Sequence, residues 1–434
     1  MLRALAILAC ALLGSTEGQD PIPKIGDRPN IVLIVSDDQG YADIGINPHR
    51  PKEVATPHLD ALAREGAFFT QAYTSGNVCS PTRAGLLTGR YQQRCGIYTA
   101  GEGGSGLPLK ERIAPQFLKP AGYVSGAFGK WHLGLTPEYN PVNRGFDEFY
   151  GFMGRGAHDY FKLAGEGGEE PLYRNLEEVR DKGYLTTRLT EEACTFVRRH
   201  RERPFFLYLA YNAVHAPAQA PEEDVRKFTT GDPQRDILMA MLQHLDRGVG
   251  RVVTTLKELG LYEKTLVLYL SDNGGSKAMH ANNAPLRGYK QQYYEGGIRT
   301  PLLLSWPAKV RGGLTIDTPV LSLDVLPSLL AAAGVPAPAD KPLDGTDLVA
   351  LANGGPAPSR DLYWSSGSTS GKWAVRSGDW KLVAHNGAPE LYDLRKDPAE
   401  TRNLASENPD TATRLRKLHE AWMAAMAPPV KKGK

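Results

Sequence analysis

Five stretches of the chain are apolar almost without interruption: residues 31–35, 123–128, 205–211, 265–270 and 301–306. A strand with one wet face alternates apolar and polar side chains, whereas a strand covered on both faces has no polar side to show. These runs therefore predict strands buried in a parallel sheet. Helical patterns lie between them. At 56–66, Thr56 suits a cap, Pro57 the first turn and Gly66 the end, while Leu59, Leu62 and Ala63 share one face. A second helical stretch covers 323–333 and stops at Gly334. Strands alternating with helices predict an α/β fold, a large, mostly parallel sheet sandwiched by helices.

Around residues 334–360 the composition turns to Pro, Ala, Gly and Asp, as at a domain junction. Beyond it, 372–376 and 380–384 read as strands joined by Ser377-Gly378-Asp379, and 390–394 follows an Asn386-Gly387 turn. A helical pattern over 411–426 closes the chain. The expected organisation is a catalytic domain over 28–345 and a small C-terminal antiparallel sheet subdomain over 358–426.

With 434 residues, 41% hydrophobic and 23% charged, the composition is that of a soluble globular protein. A net charge of +3 gives no field that would favour nucleic acid. The first 19 residues, with Arg3, an apolar stretch from Ala4 to Leu13 and small residues after it, read as a secretory signal peptide, and thus an exported protein. Cys10 offers a lesser alternative, lipoprotein anchoring. No other segment reads as a membrane span. Of the remaining cysteines, Cys95 and Cys194 are either a disulfide or two separate thiols.

In open parallel sheets, functional groups gather beyond the carboxyl ends of the strands. Four of the apolar runs end in chemistry-bearing residues: Asp37-Asp38, Lys130 with His132, Asn212 with His215, and Asp272-Asn273. Asp37, Asp38, Asp272 and Asn273 are hard oxygen donors of the kind Ca²⁺ or Mg²⁺ selects, with no zinc-type cluster of Cys and His. Arg155, His158 and Asp159 in a glycine-rich loop, and His280 with Asn282, are weaker candidates for reading the rest of a substrate.

The run Cys79-Ser80-Pro81-Thr82-Arg83-Ala84-Gly85-Leu86-Leu87-Thr88-Gly89-Arg90 resembles the signature of type I sulfatases, arylsulfatase-like members of the alkaline phosphatase superfamily. So do Pro29–Asp38, Gly129–Gly134, Ser271–Gly275 and Leu286–Lys290 with Tyr294–Pro301, and the similarity extends to about residue 405. The resemblance implies that a maturation enzyme oxidises Cys79 to formylglycine (3-oxoalanine). It implies one Ca²⁺ held by Asp37, Asp38, Asp272, Asn273 and the residue at position 79. Arg83, Lys130, His132, His215 and Lys290 would surround the sulfate, with His132 as the base that releases it and His215 protonating the leaving alcohol. The expected activity is hydrolysis of sulfate monoesters, on sulfated carbohydrate. Two other readings stand beside it: a phosphate or phosphonate monoester hydrolase of the same superfamily, and an inactive protein that binds sulfated glycans.

Overall fold

A computed structural model describes residues 28–430 apart from 155, 169, 368 and 369. The expected leader with Cys10, and Arg155, lie outside the described residues. Among those described, ten strands form the large sheet, in the order Leu314–Ile316, Ala67–Phe69, Leu302–Ser305, Thr265–Ser271, Asn30–Ser36, Phe205–Ala210, Val124–Lys130, Glu148–Phe152, Leu172–Arg174 and Glu177–Val179. The five from Thr265–Ser271 to Glu148–Phe152 are parallel. Leu302–Ser305 runs antiparallel to Thr265–Ser271, and the two strands at the far edge are also antiparallel.

Successive residues of one strand feed different cores, which is why the runs are continuously apolar. Val32, Ile34, Leu207, Leu209 and Val267 join one cluster with Leu189, Phe196, Leu245 and Val249 of helices Leu185–Arg199 and Pro233–Glu258. Ile31, Leu33, Val35, Phe206 and Leu268 join the other with Leu86, Leu87, Leu326 and Leu329 of helices Cys79–Thr88 and Val325–Ala333. Each fully buried Leu, Ile or Val contributes about 1.5–3 kcal/mol, so these two layers hold the sheet rigid. Cys194 belongs to the first cluster and Cys95 to the second; both are free thiols, which settles the open question of a disulfide against one.

Helix Pro57–Arg64 forms where expected, but Thr56 makes no side-chain cap. Its hydroxyl instead accepts from Gly45 N and donates to Asp60. The cap comes from Asp246, inside helix Pro233–Glu258, which accepts from the His58 and Leu59 amides at 3.1 and 2.8 Å.

Strands Leu362–Ser365, Trp373–Ser377, Trp380–Ala384 and Glu390–Asp393 make a separate antiparallel sheet, with helix Pro409–Ala424 packed on it through Leu415. Trp364 ties this sheet to a two-stranded one formed by Ala72–Tyr73 and Val320–Leu321, donating from Nε1 to Thr74 O at 2.7 Å and lying 5.6 Å from the Tyr73 ring. No helix among the described residues is long and apolar enough to cross a membrane.

Candidate active site

The register of the parallel strands decides which residues meet. Ser36 pairs with Ser271, Val35 with Ala210, and Ala210 with Gly129, so Asp37, Tyr211, Lys130 and Asp272 follow side by side at one edge. Gly129 has φ 109°, and a Cβ there would lie 1.9 Å from Ala210 O; only glycine lets the Lys130 strand come this close. Helix Cys79–Thr88 points its N-terminus at the same edge, with Cys79 as its first residue.

Cys79 Sγ lies 3.4 Å from Asp37 Oδ1, and Lys290 Nζ lies 3.5 Å from that sulfur. Lys130 Nζ is 2.5 Å from Asp37 Oδ2 and donates to Gly156 O at 2.6 Å. Lys290 Nζ is 2.7 Å from Asp38 Oδ1, to which Asn273 Nδ2 also donates at 2.7 Å. Arg83, wholly buried, donates from Nε to Asp272 Oδ2 at 2.9 Å and from Nη1 to Lys130 O at 3.1 Å. One turn of helix separates Arg83 from Cys79, so this clamp fixes the residue at position 79 against the Asp272 strand.

Burial alone would raise the Asp37 carboxyl, but Lys130, His215, Arg83 and Lys290 together hold it well below the usual range. Burial and the Asp272 and Asp37 carboxylates push the Cys79 thiol up to about 12, so at neutral pH it stays protonated. For His132, burial, Lys130 and Arg83 all disfavour the imidazolium, and its pKa falls well below the ordinary value. Its Nδ1 is buried without a hydrogen-bond partner, which suits a neutral ring ready to take a proton. His215 keeps Nδ1 2.8 Å from Ala216 O and Nε2 3.7 Å from Asp38 Oδ2. Asp38 (φ 62°) and His132 (φ 57°) both occupy left-handed backbone, uncommon for residues with a Cβ and concentrated at functional sites.

The side chains gathered here can hold a metal ion. Asp37, Asp38, Cys79 and His215 offer ligand atoms within 4.8 Å of one another. Asn273 Oδ1 is buried with no hydrogen-bond partner, an acceptor that a cation would satisfy.

The outlying candidates fare differently. Both ring nitrogens of His158 lie against main-chain carbonyls, Asp159 O at 2.6 Å and Glu170 O at 2.7 Å, so the ring builds its loop. Asp159 accepts from the Phe161 and Lys162 amides, a turn contact. His280 pairs with Asp232 at 2.5 Å on the surface. None of the three joins the cluster around Cys79. Two supports gave no sequence signal. Asn283 Oδ1 accepts from Tyr41 N and Gly275 N, stitching the two aspartate turns together. Glu170 accepts from the Met153 and Gly154 amides and so holds the loop carrying Gly156 O.

A family model described as Sulfatase matches residues 29–335. The chain belongs to the sulfatase family. It is an enzyme of sulfate ester hydrolysis, and residues 289–426 match a second family model, N-sulphoglucosamine sulphohydrolase, C-terminal. The sulfatase is 34% identical to N-acetylgalactosamine-6-sulfatase of Canis lupus familiaris over 407 residues, 87% of this chain and 74% of that one. It is 34% identical to arylsulfatase A of Homo sapiens, covering 90% of this chain and 87% of that one. The solved structure of Ps i-CgsB in complex with k-i-k-neocarrahexaose superposes with a TM-score of 0.88 at 36% identity, covering 94% of this chain and 95% of that chain.

Proposed function

We propose that this sulfatase is an exported enzyme that removes sulfate from sulfated carbohydrate, using formylglycine made from Cys79 by a maturation enzyme and Ca²⁺ held by Asp37, Asp38, Asp272, Asn273 and position 79. The observation that carries this is the position of Cys79. At the head of a buried helix, its sulfur is 3.4 Å from one aspartate turn and 3.5 Å from Lys290. When present, the hydrated aldehyde supplies one hydroxyl to attack sulfur and a second to expel sulfate, and the cation supplies positive charge beside them.

The chain's own residues do the rest. Arg83, held by Asp272, orients position 79. Lys130 and Lys290 are point charges for sulfate oxygens, which gain charge as the S–O bond breaks. Neutral His132, with Nδ1 open, takes the proton that sulfate release requires. His215, steadied through Nδ1, delivers a proton to the leaving alcohol. Carbohydrate as substrate class is supported by the similarity to N-acetylgalactosamine-6-sulfatase and to a structure holding a neocarrahexaose.

Mass spectrometry of the peptide spanning Cys79, from protein matured in a competent host, should show the aldehyde. Sulfate release should then follow on carrageenan oligosaccharides, N-acetylgalactosamine 6-sulfate or an aryl sulfate, with little on an aryl phosphate. Full activity from protein bearing an unmodified thiol would end the proposal.

A further inference from the structure

The loop that runs from the Asp272 turn to Lys290 lines a pocket of about 450 Å³, with walls from Arg235, His280, Asn282, Pro285, Leu286 and Tyr289. Its size is that of a small-molecule subsite. Its walls are fixed to the catalytic centre. Ala42 N donates to Asn282 O at 2.9 Å, Asn282 N donates to Asp43 at 2.8 Å, and Lys290 N donates to Gly275 O at 3.1 Å. Asn283 bonds both aspartate turns from the same loop.

The charged groups of this pocket are already paired. Arg235 lies 2.7 Å from Asp43 and 3.2 Å from Glu53, and His280 is held by Asp232. Neither cationic side chain is left without a counter-charge. What the pocket offers instead is a mostly polar wall of amide and main-chain groups with the edge of one tyrosine. Tyr289 is 36% exposed, yet its backbone is locked by Gln292, whose Oε1 accepts from Tyr289 N and whose backbone N–H donates to Tyr289 O, both at 3.0 Å. Asn282 uses Oδ1 to accept from Ala284 N, which turns its NH₂ to other partners. An exposed ring on a fixed backbone, with a polar edge and a nearby amide donor, suits a ligand with an apolar face and a rim of hydroxyls.

We infer that this pocket is a subsite for an uncharged sugar ring adjoining the sulfated one, with Tyr289 as its stacking platform. The inference rests on the carbohydrate reading above and assigns part of the chain's specificity to a residue next to Lys290. Titration calorimetry of the full chain with desulfated chondroitin and desulfated carrageenan tetra- to hexasaccharides tests it. At least one should bind, Tyr289→Ala should weaken that binding about tenfold, and Tyr289→Phe should stay within about twofold of the unaltered protein. Equal binding by Tyr289→Ala, or no binding of any of these oligosaccharides by the unaltered protein, overturns the subsite. Hydrolysis of an artificial aryl sulfate by the unaltered protein is measured separately. If that activity is present while the calorimetry fails, only the subsite falls.

Discussion

Replacing Lys381 by methionine should strongly destabilise the fold from a position outside the cluster around Cys79. Its ammonium lies 2.8 Å from Glu295 and 2.9 Å from Glu400, and all three side chains are fully buried where the small sheet meets the short helix Glu295–Ile298. At 2.8 Å and an effective dielectric of about 20, one such pair attracts by roughly 6 kcal/mol, much of it offset by desolvation. Removing the shared cation leaves two carboxylates stranded; losses of this kind run to about 3–5 kcal/mol. Glu295 keeps Arg299 at 3.5 Å and the Tyr73 hydroxyl at 2.6 Å, so the lower half of that range is expected. The assay is the urea midpoint at unchanged slope, read at several pH values.

The sign of the pH dependence is fixed by the two carboxyls. Burial pushes Glu400 up to about 7, from an ordinary value of 4.5. Its contribution is complete below 4.5 and lost as pH rises through 7. Although buried, Glu295 is held down to about 2 by Lys381, Arg299 and Arg376, so its contribution is present above 4.5 and lost as pH falls through 2. Without Lys381 both carboxyls resist ionising, so the penalty should grow from acid towards pH 8. Adding Glu400→Gln should restore part of the loss. A penalty under about 1 kcal/mol at pH 8, or one that shrinks as pH rises, would refute the buried-network account.

Chelation by EGTA should lower both activity and the thermal midpoint, with recovery on adding Ca²⁺; a ligand at a hundredfold excess over its Kd contributes about 2.7 kcal/mol, and an unmoved midpoint would exclude a structural cation. At Gly156 (φ 85°) an added Cβ would sit 3.2 Å from His132 Cε1, so Gly156→Ala should reduce kcat about tenfold or more while KM changes little; an unaltered kcat would free His132 from this packing. Asp246→Ala removes the cap of helix Pro57–Arg64 and should cost about 1 kcal/mol. Burial lifts the Asp246 carboxyl to about 6, so its stabilising effect is complete below 3.8 and fades above 6; the variant should lose more at pH 5 than at pH 8, as denaturant midpoints would show.

The sheet was legible because burial on both faces leaves a plain mark. The run 31–35 became Asn30–Ser36, and 265–270 became Thr265–Ser271. Direction was not legible: three leucines and a serine at Leu302–Ser305 look alike whichever way they run. Short strands such as Ala67–Phe69, Leu172–Arg174 and Leu362–Ser365 hold too few side chains for a period to register. At the site, the residues that end the parallel strands converge as strand polarity dictates, because the rule that gathers them needs no knowledge of loops. What escaped were contacts between residues far apart in sequence. Asp246 capping a helix almost two hundred residues earlier, Asn283 stitching two turns and Glu170 bracing the Gly156 loop all depend on tertiary placement. His158 and His280 lie outside the cluster around Cys79 for the same reason, since a histidine's partners are set by its surroundings and not by its neighbours in the chain.

Charge balance gives the proposed site a reason to prefer sulfate over phosphate. Asp37, Asp38 and Asp272 bring three negative charges; Arg83, Lys130 and Lys290 bring three positive ones, within a few ångströms and almost wholly out of water. Such a set is neutral and has no net pull on an anion. One divalent cation, if held there, would give it a surplus of two. A sulfate monoester would cancel one of these, and the Lys130, Lys290 and Arg83 charges would then face the charge that develops as the S–O bond breaks. Interactions that strengthen in the transition state are the ones that raise kcat. A phosphate monoester, doubly charged near neutrality, would cancel the whole surplus on binding and gain affinity instead of rate. Neutralising Lys290, as in Lys290→Met, removes one of those positive charges, which is why kcat for sulfate esters should fall further than their KM rises.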